Sequence, residues 1–179
     1  SNIIVAVSGG PNSIALLHSL WKLSHKLTIS LHVAHLNHSI RGYEASLDSK
    51  LVRKLCRTLA IPCTIAKIDV HKFRKRHMIS SVEEAARELR YNFLARVAKK
   101  RNYPIIATGH TADDQTETIL MHILRGSGLT GLSGMKEVTN EITKSFPLGL
   151  SVLRPILTIR HAETLAYCKE NLLSYRIDS

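Results

Sequence analysis

Cysteine is scarce in this sequence, and long apolar runs are missing from it. Cys56, Cys63 and Cys168 form no C-x-x-C pair, so neither a zinc ribbon nor a disulfide framework is expected, and a reducing compartment is favoured. No stretch approaches the roughly 18 uninterrupted apolar residues of a membrane helix. The apolar residues 1–7 lack the basic flank of a signal peptide. We therefore expect a soluble protein with no membrane partner, located in the cytoplasm, or alternatively in a plastid stroma or another organelle.

Acidic residues are also few. The 179 residues include 14 Asp and Glu against 25 Lys and Arg, which gives a formal net charge of +11 and a pI near 9.9. A positive excess of this size favours a polyanionic partner, because each neutralised phosphate releases counterions. A basic proteome or an organellar origin would also explain the charge. Apolar residues at 44% and charged residues at 22% are ordinary for a globular protein and exclude a disordered chain.

Apolar runs alternate with helical patterns along most of the chain. The runs at residues 3–7, 28–35, 61–68 and 104–108 predict buried strands. Helical spacing of apolar residues follows at 14–23, 47–60, 81–101, 112–125 and 161–170. Ser81 is the predicted N-cap of the third helix, and Gly126 closes the fourth. The alternation predicts an α/β fold in one domain over residues 1–179, a three-layer, doubly wound and mostly parallel sheet with helices on both faces. Residues 138–152 show neither a clear helical nor a clear strand period of apolar residues.

The segment between the first predicted strand and the first predicted helix reads SGGPNS, residues 8–13. Glycines allow the backbone to approach an anion, Ser8 and Ser13 offer hydroxyl donors, and the helix N-terminus adds free N–H groups and a positive dipole. These features predict a phosphate cradle. It is not a Walker A loop, because no Gly-Lys-Ser/Thr follows. A purely structural strand-to-helix turn would explain the glycines equally well.

A second polar segment, residues 109–118, follows the strand at 104–108, and ligands collect at the carboxyl ends of parallel strands. Asp114 and Glu117 lie three residues apart, so both carboxylates project from one face of the first helical turn, while Asp113 points elsewhere. Two carboxylates at this place could hold Mg²⁺ against a nucleotide phosphate. The alternative is that they only complement the helix dipole.

Two further segments carry polar residues that could face a ligand. His35 and His38 follow the second strand without a second pair of metal ligands, so we interpret residues 34–42 as a ligand wall and not as a zinc site. In the helix at 81–101, Arg87 is expected to pair with Glu83 on the surface. Arg90 has no such partner, and a free guanidinium suits the stabilisation of charge on a transferring group.

Taken together, the polar segments resemble one known family. SGGPNS resembles the SGGxDS loop of the N-type ATP pyrophosphatases, the PP-loop superfamily. The segments HLNHSIRG (35–42), EAARELRY (84–91), GHTADDQTET (109–118) and RGSGLTGLSGM (125–135) are together similar to the N-terminal catalytic domain of the tRNA(Ile)-lysidine synthetases. The resemblance covers essentially the whole chain. It implies a PP-loop ATPase fold, which is adenine nucleotide alpha-hydrolase-like.

The resemblance implies a ligase that uses ATP and Mg²⁺. ATP would adenylate the C2 oxygen of the wobble cytidine of a tRNA(Ile) with a CAU anticodon, releasing pyrophosphate, and the amine of free L-lysine would then displace AMP to form lysidine. Carried over by position, the ATP-binding residues are Ala6, Ser8, Gly9, Gly10, Pro11, Asn12, Ser13, Ala34 and Gly109. The catalytic positions are Asn12, Arg90, Asp114 and Glu117, with Asp114 as the Mg²⁺ ligand, and the substrate loops contribute His35, Asn37, His38, Arg41, His110 and Arg125.

The same resemblance sets expectations for the surface and the assembly. The basic residues 72–76 and 99–101 are candidate tRNA contacts, although a solvated surface explains each equally well. The chain stops directly after a structured pattern, so we expect a longer protein with C-terminal tRNA-binding domains. A homodimer is the candidate assembly.

One position departs from the family pattern. Asn12 stands where the family has Asp, and an amide keeps an acceptor oxygen but loses the charge that would hold a cation. A catalytically impaired module that binds ATP or RNA is therefore one alternative. A tRNA thiolation enzyme of the same superfamily is another, but its chemistry needs paired cysteines that the spacing here does not offer.

Overall fold

The structure is a computed structural model that describes residues 1–38, 43–126, 133–140, 147 and 149–177, with the side chains of residues 43–45 left out. The elements are β1 (Asn2–Ala6), α1 (Pro11–Leu27), β2 (Ser30–Asn37), α2 (Tyr43–Thr58), β3 (Cys63–Lys67), α3 (Val70–His77), α4 (Val82–Arg101), β4 (Ile105–Thr108), α5 (Ala112–Leu124), β5 (Val138–Thr139), β6 (Ser151–Leu153) and α6 (His161–Glu170). Within these residues no helix combines the length and the apolar character needed to cross a membrane.

The strands of the described residues form a six-stranded sheet in the order β3-β2-β1-β4-β6-β5. Neighbouring strands are parallel except for β5, which runs antiparallel to β6. The chain builds outward from β1 to β2 and β3, and then places β4 on the other side of β1. Ala6 at the end of β1 is in register with Ala34 of β2 and Thr108 of β4. Three carboxyl ends therefore meet where the strand order reverses, which is where open α/β sheets bind ligands.

Alternate residues of β1 pack into two different cores, because successive side chains of a strand point to opposite faces of the sheet. Ile3 and Val5 pack with apolar residues of α1 and α2 and with Cys168 of α6. Ile4 packs on the other face with Leu94 and other residues of α4. Both faces of β1 are thus buried, which explains its uninterrupted apolar run. The predicted three-layer sheet with helices on both faces is confirmed.

Three elements were not predicted from the sequence: α3, β5 and β6. Helix α3 has 8 residues, mostly polar, so it shows no apolar period. It begins because the Asp69 carboxylate accepts hydrogen bonds from the N–H groups of His71 at 2.9 Å and Lys72 at 3.1 Å. Strands β5 and β6, with 2 and 3 residues, are too short for an alternating pattern and form by pairing next to β4.

Candidate active site

A cleft of about 630 Å³ lies at the carboxyl ends of β1, β2 and β4. The predicted site residues that line it are Ala6, Ser8, Gly10, Pro11, Asn12, Ser13, Ala34, His35, Asn37, His38, Arg90, Gly109, His110 and Asp114. Gly9 belongs to the same loop but does not line the cleft. Glu117 and Arg125 are exposed outside it. Arg41 lies outside the described residues. The structure therefore brings most of the predicted residues, from four separate segments, to one place.

Ser13 organises the loop at residues 8–13. Its Oγ accepts hydrogen bonds from the N–H groups of Ser8 at 3.2 Å and Gly9 at 3.3 Å, and donates to the Gly10 carbonyl at 3.0 Å. Ser8 Oγ lies 3.2 Å from Ser13 Oγ and accepts from the Gly10 N–H at 3.3 Å. Helix α1 begins directly at Pro11. The loop is thus held in a fixed shape beside the first turn of α1, whose free N–H groups suit an anion.

Two glycines make this loop geometry possible. Gly9 has a φ of +106°, a backbone conformation that residues with a Cβ rarely adopt. A Cβ on Gly109 would lie 3.1 Å from the backbone N and Cα of Ser13. The residue after β4 therefore lies against the loop backbone, and a larger residue at position 109 would have to push that backbone away by a few tenths of an ångström.

The histidines of the cleft differ in their bonding. His35 is 2% exposed, and its Nδ1 donates to the Val7 carbonyl at 2.8 Å while its Nε2 bonds Ser49 Oγ at 3.1 Å. Burial lowers the pKa of His35, although the Val7 bond and Asp48 oppose the shift. This side chain ties β2 to the residue after β1 and to α2, and it also lines the cleft.

His38 and His110 are held neutral. Burial, together with the charges of Arg90 and His35, lowers the pKa of His38 to about 4. Burial, followed by Arg154, likewise lowers the pKa of His110 to about 4, while Asp114 opposes the shift. His110 Nδ1 bonds Thr108 Oγ1 at 2.9 Å, whereas His38 Nδ1 is buried without a partner in the described residues. Cations around neutral imidazoles give this wall a positive potential.

Arg90 lines the cleft and remains accessible to solvent there. Burial among the surrounding protein atoms lowers the pKa of Arg90, Tyr91 opposes the shift, and the neighbouring Arg87 adds to it. The expected pair of Arg87 with Glu83 is absent from the ion pairs of the described residues. Arg87 instead places its guanidinium over the Tyr91 ring, 5.2 Å from the centroid, because a cation is attracted to an aromatic face. Of these two arginines of α4, Arg90 is the one that lines the cleft.

The acids at the start of α5 have separate roles. Asp114 Oδ2 accepts hydrogen bonds from Thr111 N–H at 2.7 Å and Thr111 Oγ1 at 2.8 Å, so this oxygen caps the helix. Asp113 Oδ2 accepts from the His161 N–H at 2.6 Å and thereby links α5 to α6. Glu117 is exposed one turn further along α5, away from the cleft. The two carboxylates that the sequence placed on one face therefore do not meet at the cleft.

Several residues of the cleft were not singled out from the sequence. His161 at the start of α6 lines the cleft and bonds Asn12, and Thr164 of the same helix also bonds Asn12. Arg176 and Ile177 line it from the C-terminal segment, and Arg176 Nε forms a 2.7 Å ion pair with Asp48 Oδ1. These residues lie in parts of the sequence without a motif, and no local signal would have identified them.

The chain is similar to known proteins over its whole length. The family described as PP-loop domain matches residues 1–179. The tRNA(Ile)-lysidine synthase of Dehalococcoides mccartyi (strain CBDB1) is 42% identical over 176 residues, which are 98% of this chain and 37% of that protein. The tRNA(Ile)-lysidine synthase of Clostridium acetobutylicum is 41% identical over 177 residues, 99% of this chain and 36% of that protein. The chain thus spans little more than a third of the length of these relatives.

A solved structure shares the fold. The U34-tRNA thiolase NcsA from Methanococcus maripaludis with its [4Fe-4S] cluster superposes with a TM-score of 0.76 at 19% identity, over 98% of this chain and 57% of that one. At this identity the likeness concerns the fold alone.

Proposed function

Because the chain belongs to the PP-loop domain family, we propose that it is the ATP-binding catalytic domain of a tRNA(Ile)-lysidine synthase. The family implies ATP use. The proposed substrates are ATP, free L-lysine and a tRNA(Ile) with a CAU anticodon, and the products are the lysidine-bearing tRNA, AMP and pyrophosphate. The domain occupies residues 1–179, and since the relatives of this name are longer, further tRNA-binding domains are part of the proposal.

The observation that carries the proposal is the convergence of the loop at residues 8–13, Gly109 and Arg90 on one cleft. Its volume of about 630 Å³ lies within the usual range for small-molecule sites. The loop and the first turn of α1 would hold the pyrophosphate, and the backbone at Ala6, Ala34 and Gly109 would line the nucleoside. Arg90 would then stabilise the negative charge that develops at the α-phosphate as the tRNA oxygen attacks.

Asp114 is the carboxylate of the cleft that fits a magnesium ion. Its Oδ2 is bonded to Thr111, while its Oδ1 has no protein partner in the described part of the chain. No group of three His, Cys, Asp or Glu side chains in those residues could hold a metal by itself. This agrees with Mg²⁺, which takes one or two carboxylates and completes its shell with phosphate and water. When bound, the ion would neutralise phosphate charge. Glu117 is exposed on α5 outside the cleft lining, and we propose that it contacts the amine of the lysine substrate on its way to the cleft.

The basic surface suits the tRNA. Arg74, Lys75 and Arg76 occupy the last turn of α3, and Lys99, Lys100 and Arg101 the last turn of α4. We propose these two helix ends as contacts to the phosphate backbone, because neutralised phosphates contribute affinity through counterion release.

A homodimer and a location in the cytoplasm, or in a plastid stroma or another organelle, complete the proposal.

The test is pyrophosphate release by this chain with ATP, Mg²⁺, lysine and a tRNA(Ile) bearing the CAU anticodon. We expect release that depends on the tRNA, and lysidine detected by mass spectrometry of the digested tRNA. The same tRNA with uridine at the wobble position should give neither. Arg90→Ala should lower the rate by about a hundredfold or more with ATP affinity nearly unchanged. Arg87→Ala, which removes a cation beside it, serves as the matched control and should retain most activity.

The outcomes separate the alternatives. ATP binding without tRNA-dependent pyrophosphate release would favour the impaired ATP- or RNA-binding module. Sulfur transfer to the tRNA would favour thiolation, but the three free cysteines do not line the cleft. A large loss of ATP affinity in Arg90→Ala would mean that Arg90 binds the ground state and has no special role in the transition state.

A further inference from the structure

Asn12 is bonded to helix α6. Its Oδ1 accepts a hydrogen bond from His161 Nδ1 at 2.8 Å and another from Thr164 Oγ1 at 2.6 Å. Asp113 of α5 anchors the same point by accepting the His161 backbone N–H at 2.6 Å. Asn12 and His161 both line the cleft, beside the loop at residues 8–13.

These contacts leave Asn12 unsuited to bind a cation. An amide oxygen has two lone pairs, and His161 Nδ1 and Thr164 Oγ1 both lie within hydrogen-bond distance of this one. The Thr164 hydroxyl also lies 2.8 Å from the His161 carbonyl and shares its proton between the two oxygens. A cation at this oxygen would have to displace two donors, and the neutral amide has no charge to compensate for them. The Asn12 oxygen therefore serves as a hydrogen-bond acceptor for His161 and Thr164.

With the Asn12 carbonyl oxygen turned toward the ring, as the structure places it, the bond assigns the proton of the neutral His161 ring to Nδ1. A carbonyl oxygen only accepts, so Nδ1 is protonated, and in the neutral ring Nε2 is the bare nitrogen. Nε2 has no hydrogen-bond partner in the described residues, and it is not among their buried unpartnered atoms, which are His38 Nδ1 and Arg154 Nε. His161 thus presents an accessible, unbonded nitrogen at the wall of the cleft.

The electrostatic surroundings favour an anion at this nitrogen. The N-termini of α1 and α6 both lie here, and each carries partial positive charge. Arg90 faces the same cleft. The charged groups next to His161 are Asp113 of α5, which bonds its backbone N–H, and Arg160 and Glu163 of its own helix.

We propose that Asn12 is a positioning residue that makes His161 a ligand for the polyphosphate of ATP. Nδ1–H stays bonded to Asn12, while Nε2 takes a proton from the solvent as the anion enters and donates a hydrogen bond to a phosphate oxygen. The imidazolium supplies positive charge at this wall of the cleft. With a carboxylate at position 12, that positive charge would have to come from a bound cation. This inference rests on the proposed function, because it assigns the polyphosphate to the same cleft.

The tautomer is measured first, on the native chain with ¹⁵N-labelled histidine. Long-range ¹H–¹⁵N spectra at pH 8 should show His161 with a protonated Nδ1 and a bare Nε2, with the resonance assigned by its loss in His161→Gln. Inorganic pyrophosphate should move Nε2 to the imidazolium position. Asn12→Ala should abolish the tautomer preference, and Asn12→Asp should retain it. A merely structural contact would not respond to pyrophosphate.

Binding of inorganic pyrophosphate in EDTA is measured next, by calorimetry. His161→Gln and Asn12→Ala should each weaken it by about tenfold or more, the loss expected for one hydrogen bond to a charged group. The double variant should be no weaker than His161→Gln, because the two residues act as a unit. Asn12→Asp should bind poorly in EDTA, since its carboxylate neutralises the imidazolium, and should recover with Mg²⁺. His25→Ala, exposed at the end of α1, is the control and should bind normally.

The results distinguish the two proposals. A protonated Nε2 and bare Nδ1 in the native chain, or unchanged pyrophosphate affinity in His161→Gln, would overturn the role of His161 while leaving ATP binding intact. If the native chain binds neither pyrophosphate nor ATP, the proposed function fails and this inference fails with it.

Discussion

At the scale of single residues, the cleft contains neutral histidines whose protonation a bound anion would favour. His38 and His110 are neutral because burial lowers the pKa of each to about 4, with a further contribution from Arg90 at His38 and from Arg154 at His110. A bound nucleotide would offset those positive charges. The protonation of both imidazoles thus depends on whether an anion occupies the cleft and on whether the chain is folded.

We expect the free energy of unfolding to fall as the pH is lowered from 6.5 toward 4. In this window the unfolded chain protonates both histidines at the ordinary pKa of 6.5, while the folded chain resists until about 4. Each shift corresponds to about 3 kcal/mol at most, since one pKa unit is worth about 1.4 kcal/mol. Urea unfolding at several pH values measures the slope. His110→Gln should flatten it, and His71→Gln, exposed on α3, should not. An unchanged slope in His110→Gln would contradict the assignment.

At the scale of elements, α5 holds the segment that leads to β5. Gln115 donates from Nε2 to the Met135 carbonyl at 2.9 Å and accepts the Met135 N–H on Oε1 at 2.6 Å. Gly134 has a φ of +61°, and a Cβ there would lie 2.7 Å from Gln115 Oε1. Arg154 continues the attachment by donating to the Lys136 carbonyl at 2.6 Å. The end of the RGSGLTGLSGM segment is thus fastened to α5 by one amide side chain.

Gln115→Ala should release this attachment. Both backbone groups of Met135 would lose their partner, so we expect a loss of about 1–3 kcal/mol in stability and faster amide hydrogen exchange around residues 133–137. Exchange followed by mass spectrometry checks this locally. Thr116→Ala, whose hydroxyl bonds only within α5, is the matched control. Equal exchange rates in the two variants would show that the segment is held by other contacts.

Element boundaries were predictable where they depend on neighbouring residues. Ser81 was predicted as the N-cap of α4, and its Oγ accepts the Glu84 N–H at 3.0 Å. Gly126, predicted to close α5, follows the last helical residues with a φ of +70°. Helix α3 was missed, because its one buried residue, Val70, packs on α4 and leaves no period in the sequence.

At the scale of the whole molecule, the C-terminal segment closes over the loop at residues 8–13. The Arg176 N–H donates to the Gly9 carbonyl at 3.0 Å, and its side chain pairs with Asp48 of α2 at 2.7 Å. Leu173 and Tyr175 pack against the core that contains α1. Residues from both ends of the chain therefore shape one wall of the cleft.

The pair of Asp48 and Arg176 should contribute to ATP affinity more than to stability. Both side chains are partly exposed, so we expect about 0.2–1 kcal/mol of stability from the pair. Asp48→Asn and Arg176→Gln should each weaken ATP binding several-fold, and a double-mutant cycle should show that the effects are not additive. Calorimetric titration with ATP checks this, with Lys50→Gln on α2 as the control. Fully additive losses would show that the two residues act independently.

The positions of most helices, strands and turns along the chain could be predicted from the sequence, whereas the hydrogen-bond and ion-pair partners of the site residues depended on the fold. Apolar runs, caps and glycine turns involve residues close together in the chain, so β1, α1, β4 and the loop at residues 8–13 could be inferred from spacing alone. Asn12 with His161, and Asp48 with Arg176, are brought together only when α6 and the C-terminal segment pack on α1 and the loop. No period or motif records such contacts, because packing decides which distant surfaces meet. The sequence thus identified Asn12 as a departure from the family pattern, and only the tertiary structure showed that Asn12 bonds His161.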